Sequence, residues 1–288
     1  MDTVLQQIEE WLKGLIIPVL MENISGIFDS INTEVGSIAS DVGTTPYNFS
    51  PSIFGMIRNI SETVIMPIAG IILTFVACYE LIQLVLSHNN LASFETWFIF
   101  KWILKTFVAV ELITHTFDIT MAVFDVAQHV ITSAGGVIQH DTAVDASALA
   151  TMQSTIEAMS IWGVIFLFGQ VWLVSVLMMI ISKLVFVLIY CRMIEIYMYV
   201  SLAPIPFATF GNREQSMIGQ NYVRSLLALG FQGFLIMICV GIYAMLVSSL
   251  TFSSDIIGSI WGVVGYTLLL CFSIFKAGSV AKAVFQAH

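Results

Sequence analysis

Apolar positions along the chain fall into two regimes. Over residues 1–62, Val4, Leu5, Ile8, Trp11, Leu12, Leu15, Ile16 and Val19 recur at three-and-four spacing, and the pattern resumes at Ile24, Ile27, Phe28, Ile31, Val35, Ile38 and Val42. That period marks an amphipathic helix. A bend is expected near Pro18, because an interior proline loses a hydrogen bond and crowds the preceding turn. The polar face is acidic, and Lys13 is its one cation. Binding to anionic lipid by charge calls for Lys and Arg. The expectation is therefore an extracellular segment that packs on partner protein or the outer leaflet, with simple surface attachment as the other reading. Pro46 and Pro51 punctuate a loop before the membrane begins.

From residue 63 onward the apolar runs lengthen. The first span is 64–86, with Pro67 in its first turn, where a missing N–H is tolerated. A second starts near Trp97 and is interrupted by Lys101, Lys105 and Glu111, yet its helical period continues to about Val130. Such a helix of ~50 Å at 1.5 Å per residue would cross the bilayer and project beyond it. Residues 132–159 hold Gly135, Gly136, Asp141, Asp145 and Glu157 without Lys or Arg and read as an aqueous loop. Residues 161–182 carry no charge, and the apolar character continues past Lys183, Arg192 and Glu195 to Ala203. With no Gly or Pro between Gln170 and Pro204, this is one long helix; Arg192 and Glu195, three apart, can pair on it. A polar elbow over 204–224 leads to spans over 225–254 and 256–275, and a tail with Lys276 and Lys282 ends at His288.

The reading is an all-α, polytopic membrane protein of about five transmembrane helices with an N-terminal amphipathic helix. Its divisions are 1–62, an extracellular amphipathic segment; 63–131, two membrane helices with an extracellular extension; 132–159, an extracellular loop; and 160–288, a three-helix core with a cytoplasmic elbow and tail. Composition agrees: 58% of the 288 residues are hydrophobic, 10% are charged and mean hydropathy is +0.93, against roughly 25% charged in soluble domains. The runs are too long and do not alternate, which excludes a transmembrane barrel. Cys78, Cys191, Cys239 and Cys271 lie in apolar runs and read as packing residues. The first twenty residues lack the basic region and apolar core of a cleavable signal.

Charge gives an orientation. With the N-terminus outside and the C-terminus inside, eight of the ten basic residues face the cytoplasm, leaving +4 inside and −12 outside. The net charge of −9 is thus an outer property set against a basic inner face.

One stripe carries candidate chemistry. Lys101, Lys105, Glu111, His115, Asp118, Asp125 and His129 fall close to one face of the second membrane helix. Ionisable groups in a membrane face protein or water, so the stripe either lines a conduit or meets a partner. The other reading is that only 102–114 is embedded and the ends snorkel or emerge. Metal binding is disfavoured, since no second helix offers matching His or acid residues. No nucleophile elbow, phosphate loop or zinc motif occurs, so neither an enzyme nor a cofactor is expected. Gly230, Gly233, Gly258 and Gly262 offer close helix packing, within or between subunits.

Residues 199–214, Tyr-Val-Ser-Leu-Ala-Pro-Ile-Pro-Phe-Ala-Thr-Phe-Gly-Asn-Arg-Glu, with 218–234, Ile-Gly-Gln-Asn-Tyr-Val-Arg-Ser-Leu-Leu-Ala-Leu-Gly-Phe-Gln-Gly-Phe, resemble the TrbL-type family. Its members are polytopic inner-membrane subunits of type IV secretion, or conjugation, machines, and this chain resembles the branch found in Gram-positive mobile elements. The resemblance implies a bacterial cytoplasmic-membrane channel subunit, homo-oligomeric, carrying single-stranded DNA with its relaxase beside ATPases and other membrane subunits. An assembly scaffold that lines no conduit is the alternative, and a small-solute transporter a third. In the elbow, Pro204 and Pro206 end the third membrane helix and Gly211 permits a turn. Arg213 and Arg224 offer cations to lipid phosphate, an ATPase or DNA, or simply anchor an ordinary loop.

Overall fold

The computed structural model describes residues 2–86, 96–137, 146–212, 214–250 and 256–287. Every regular element among them is helical: α1 Asp2–Val42, α2 Pro46–Phe49, α3 Pro51–Ile60, α4 Met66–Leu86, α5 Thr96–Thr114, α6 Thr116–Val137, α7 Ala146–Glu157, α8 Ile161–Leu202, α9 Pro204–Ala208, α10 Ser216–Ser248 and α11 Ile256–Phe285. Arg213, residues 138–145 of the expected aqueous loop and residues 251–255 lie outside the described residues.

Among the described residues, five stretches are long and apolar enough to cross a membrane: Gln7–Val42, Pro51–Leu86, Ile161–Gly211, Ser216–Ser248 and Ile256–Phe285. The count of five agrees with the sequence pattern, but its membership differs. α1 qualifies, although its acidic face had placed it outside the membrane. The stretch expected as a single long second helix is instead a pair, α5 and α6, bent by 66° at His115; counted as one span, it makes a sixth. Three threonine hydroxyls near the bend donate to carbonyls of the preceding turn: Thr114 to Val110 at 2.6 Å, Thr116 to Leu112 at 2.6 Å, and Thr120 to Thr116 at 3.0 Å. Such back-bonding bends helices.

The prolines act as helix starters rather than loop punctuation. Thr45 Oγ1 accepts from Asn48 N at 3.1 Å ahead of Pro46, and Ser50 Oγ accepts from Ile53 N ahead of Pro51. A hydroxyl cap followed by proline satisfies a donor and places the missing N–H where none is needed. Before Pro67 the helix widens into a π turn over Ser61–Ile65, with Met66 N–H reaching back to Ser61 O. Helix α1 continues through Pro18, and α8 is one 42-residue helix, as its lack of Gly and Pro beyond Gln170 implied.

The helices form two compact units. One comprises Met1–Val42, Ser133–Ile189 and Leu235–Lys276. In it α1 buries Ile17, Leu20, Ile24, Ile27, Ile31, Ile38 and Val42. Glu9 accepts from Ile161 N at 3.1 Å, placing a carboxylate on the first turn of α8, where the helix dipole favours it. At the other end Asp41 shares a groove with Val185 and Ile189, so α1 and α8 run parallel. Polar pairs tie the remaining helices: Trp261 Nε1 to Gln170 at 3.1 Å, and the buried Tyr243–Thr267 hydroxyl pair at 3.0 Å.

The second unit comprises Gly43–Thr132, Tyr190–Phe234 and Ala277–His288. Its first cluster joins Phe117 and Phe124 of α6, Met193, Ile196, Tyr197 and Val200 of α8, and Leu226 and Leu229 of α10. A second joins Ala69 and Leu73 of α4, Ala109 and Ile113 of α5, and Phe207 and Ala208 of α9.

Candidate functional site

The seven stripe residues divide at the bend. Lys101 and Lys105 sit on α5, Asp118, Asp125 and His129 on α6, with Glu111 and His115 at the junction. Helix α5 otherwise exposes Ile99, Phe100, Ile103, Leu104, Phe107 and Val108, a surface suited to lipid. Its two lysines are held locally. Lys105 Nζ lies 2.6 Å from Glu80 of α4, and Lys101 Nζ sits 5.4 Å from the Trp97 ring centroid. Next to that lysine pair, Trp102 Nε1 donates to Ala77 O at 3.0 Å, which fixes the α4–α5 register.

Helix α6 presents the ionisable face. Asp118, Ala122, Asp125 and His129, at 4-3-4 spacing, are all exposed, while Phe117, Phe124, Ala127 and Ile131 on the opposite side are buried. Arg58 reaches this face from α3. Its guanidinium lies 3.6 Å from Asp118 and 2.7 Å from Glu62, with its carbon 5.3 Å from the Phe117 centroid. His115 Nε2 is 3.5 Å from Glu111. The bend thus separates a lipophilic limb from a hydrophilic one, a division that helical periodicity alone cannot reveal.

The elbow differs from its expected form as a polar surface turn. Ala203, Pro204, Phe207, Ala208, Thr209 and Asn212 are buried. Pro204 opens α9 rather than ending the path in a loop, and Gly211 turns without positive φ. Asn212 caps α10: its Oδ1 accepts from Glu214 N at 2.7 Å and Gln215 N at 3.3 Å. Glu214 then takes Gln83 Nε2 at 3.0 Å from α4. Thr209 Oγ1 donates to Pro206 O at 2.7 Å and accepts from Gly219 N at 3.2 Å. Arg224 is exposed.

The glycines also find places. A Cβ at Gly230 would lie 3.2 Å from Ala127, and one at Gly233 would lie 2.5 Å from Ile131 and 2.7 Å from Arg192. Both therefore serve packing of α10 within the chain. Gly262 faces Leu250 at 3.2 Å, and Gly258 is exposed on α11. Glu195 interacts electrostatically with the buried Arg192, as its spacing implied, and is also bridged to Lys282 at 3.2 Å, which fastens the last turn of α11 to α8. Gly219 and Asn212 were not singled out from the sequence, because a close approach and a cap on a buried turn leave no local periodic signal.

The family model for TrbL/VirB6 plasmid conjugal transfer like protein matches residues 31–204, more than half of the chain. The chain belongs to this TrbL/VirB6 family. It is a multi-pass cytoplasmic-membrane component of conjugal transfer, and as such a member of a multi-subunit machine with membrane partners. The matched stretch runs from α1 to the first residue of α9 and includes the bend and the α6 face. Most of the elbow sequence that carried the resemblance lies beyond it. No curated protein and no solved structure matches the chain.

Proposed function

We propose that this TrbL/VirB6 member is a channel subunit of a homo-oligomeric conjugative machine, taking part in the movement of single-stranded DNA with its relaxase across the cytoplasmic membrane. The observation that carries the reading is the exposed Asp118–Ala122–Asp125–His129 face, set on the hydrophilic limb of a broken helix. Lipid does not cover such a face at tolerable cost, so water or protein must. The face also carries the Arg58 guanidinium, which gives phosphate an attractive point, while Asp118 and Glu62 beside it keep that hold weak enough to release. The subunit acts without catalytic chemistry or cofactor of its own. Arg224, Lys276 and Lys282 face the cytoplasm, N-out and C-in, where Arg224 meets the machine's ATPases or lipid phosphate.

Replacing Asp118 and Asp125 together by Lys should trap phosphate on the wall and lower transfer frequency severalfold at unchanged membrane abundance, with Asp→Asn at both positions much milder. Unchanged transfer in the lysine variant rules the face out as a DNA boundary. The second reading, an assembly scaffold, draws on the engagement of Asp118 by Arg58 and of Lys105 by Glu80. For a scaffold the same lysine variant would lose co-purifying machine subunits before it lost anything else.

A further inference from the structure

The second half of α1 has an outward face unlike the rest of the unit that contains it. Glu22, Gly26, Asp29, Thr33, Gly36 and Ser40, at 4-3-4-3-4 spacing, are all exposed. The first half of the same helix exposes Ile8, Trp11, Leu15 and Val19 instead. Beside this polar seam a groove of about 750 Å³ runs between α1 and α8. Glu22, Asp29 and Glu34 line it from α1, and Ser175, Ser182 and Lys183 from α8. A smaller hollow of about 170 Å³ continues along the same helices past Ser37 to Asp41 and Ile189. From residue 22 to residue 41 the furrow extends ~28 Å at 1.5 Å per residue, close to the ~30 Å of bilayer hydrocarbon.

The furrow lies on a helix long enough to cross the membrane and beside the end of the charge-free stretch of α8. Lipid on the seam would strand two carboxylates in hydrocarbon. A parallel second copy of α1 packed seam to seam would set Glu22 against Glu22 and Asp29 against Asp29. Neither Gly26 nor Gly36 has any atom within 4 Å of an added Cβ, so these glycines leave open width instead of seating a neighbour within the chain. Water satisfies the wall, and hydroxyls with carboxylates replace part of a cation's hydration shell. Four carboxylates, counting Asp41, face the lone Lys183, beside which Glu34 is hydrogen-bonded to Ser182. That balance repels nucleic-acid phosphate.

We propose that the α1–α8 furrow is a water-filled path that admits small hydrated monovalent cations and excludes phosphate polyanions. It is separate from the α6 face and does not depend on that face bordering DNA. The test is ion flux in liposomes holding the purified full chain, under a potassium chloride gradient. Cation-selective diffusion potentials are expected, with Glu22→Gln/Asp29→Asn/Glu34→Gln losing most of the selectivity and Lys183→Gln increasing it. Absent flux, anion preference, or selectivity unchanged in the triple variant overturns the proposal. A parallel labelling with a membrane-impermeant thiol reagent at Thr33→Cys and Gly36→Cys distinguishes a covered seam. Rapid labelling is expected, and inaccessibility with cross-linking between copies would make the seam a subunit interface instead. Folding is checked independently by the thermal transition of each variant in detergent.

Discussion

A methyl group added at Gly219 would meet the Pro206 carbonyl oxygen at 2.8 Å and the Phe210 ring at 2.9 Å, whereas one added at Gly26 would meet nothing within 4 Å. The two glycines therefore answer substitution in opposite senses. Gly219→Ala should destabilise the chain by about 1–3 kcal/mol, the usual range for overpacking. Gly26→Ala should hold or raise stability by up to about 1 kcal/mol, the helix-propensity difference between the residues. Thermal unfolding in detergent checks both, and equal shifts would mean that the α9–α10 contact is looser than described. What was legible at this scale was composition with spacing: Gly230 and Gly233 stood out as packing positions and do pack. Gly219 was invisible because its contact, though only thirteen residues distant, depends on how α9 folds back. Likewise nothing in the spacing of Arg192 and Glu195 could show that Lys282, from the last helix, takes the carboxylate.

The bend between α5 and α6 is the element on which the candidate site turns. Apolar periodicity runs unbroken from 97 to 130, because period reports faces and not the direction of an axis; the stripe was legible and the 66° turn in it was not. The local cause is the clustering of Thr114, Thr116 and Thr120, whose hydroxyls draw on carbonyls of the preceding turn. Thr116→Val with Thr120→Val keeps the shape and removes two donors, so the bend should relax. Spin labels at Lys101 and Asp125 should then move apart, measured by pulsed dipolar spectroscopy, and an unchanged distance would place the cause in packing on α4 and α9. The elbow teaches the converse. Asn212, Arg213 and Glu214 make it look like a polar surface turn, yet Asn212 Oδ1 accepts from the turn that leads into α10, Glu214 takes Gln83 of α4, and Phe207 and Ala208 after the prolines are buried.

For the whole molecule, hydropathy found the charge-free helices and with them the all-α membrane class, while α1, read as an extracellular amphipathic segment, is also long and apolar enough to cross. Acidic and hydroxyl residues dilute that helix, and its partner α8, 152 residues further on at the point where Glu9 caps Ile161, cannot be seen locally. Because α1 and α8 run parallel, the N-terminus and the residues preceding Ile161 should share one side of the membrane. Reporters placed at residue 2 and at residue 159 should both read outside, and one after His288 inside. Opposite readings for the first two would break the parallel pairing of α1 with α8. The central claim, that the chain borders the conduit of a conjugal transfer machine through α6, is tested most directly by thiol labelling during transfer. The background must lack the native cysteines, since Cys78 and Cys191 are exposed. In that background Asp118→Cys, Ala122→Cys and Asp125→Cys should react with an impermeant reagent in idle cells and be protected while DNA passes, with Ile103→Cys on the lipophilic limb unaffected. Labelling at the three α6 positions that is the same in idle and transferring cells would contradict the account.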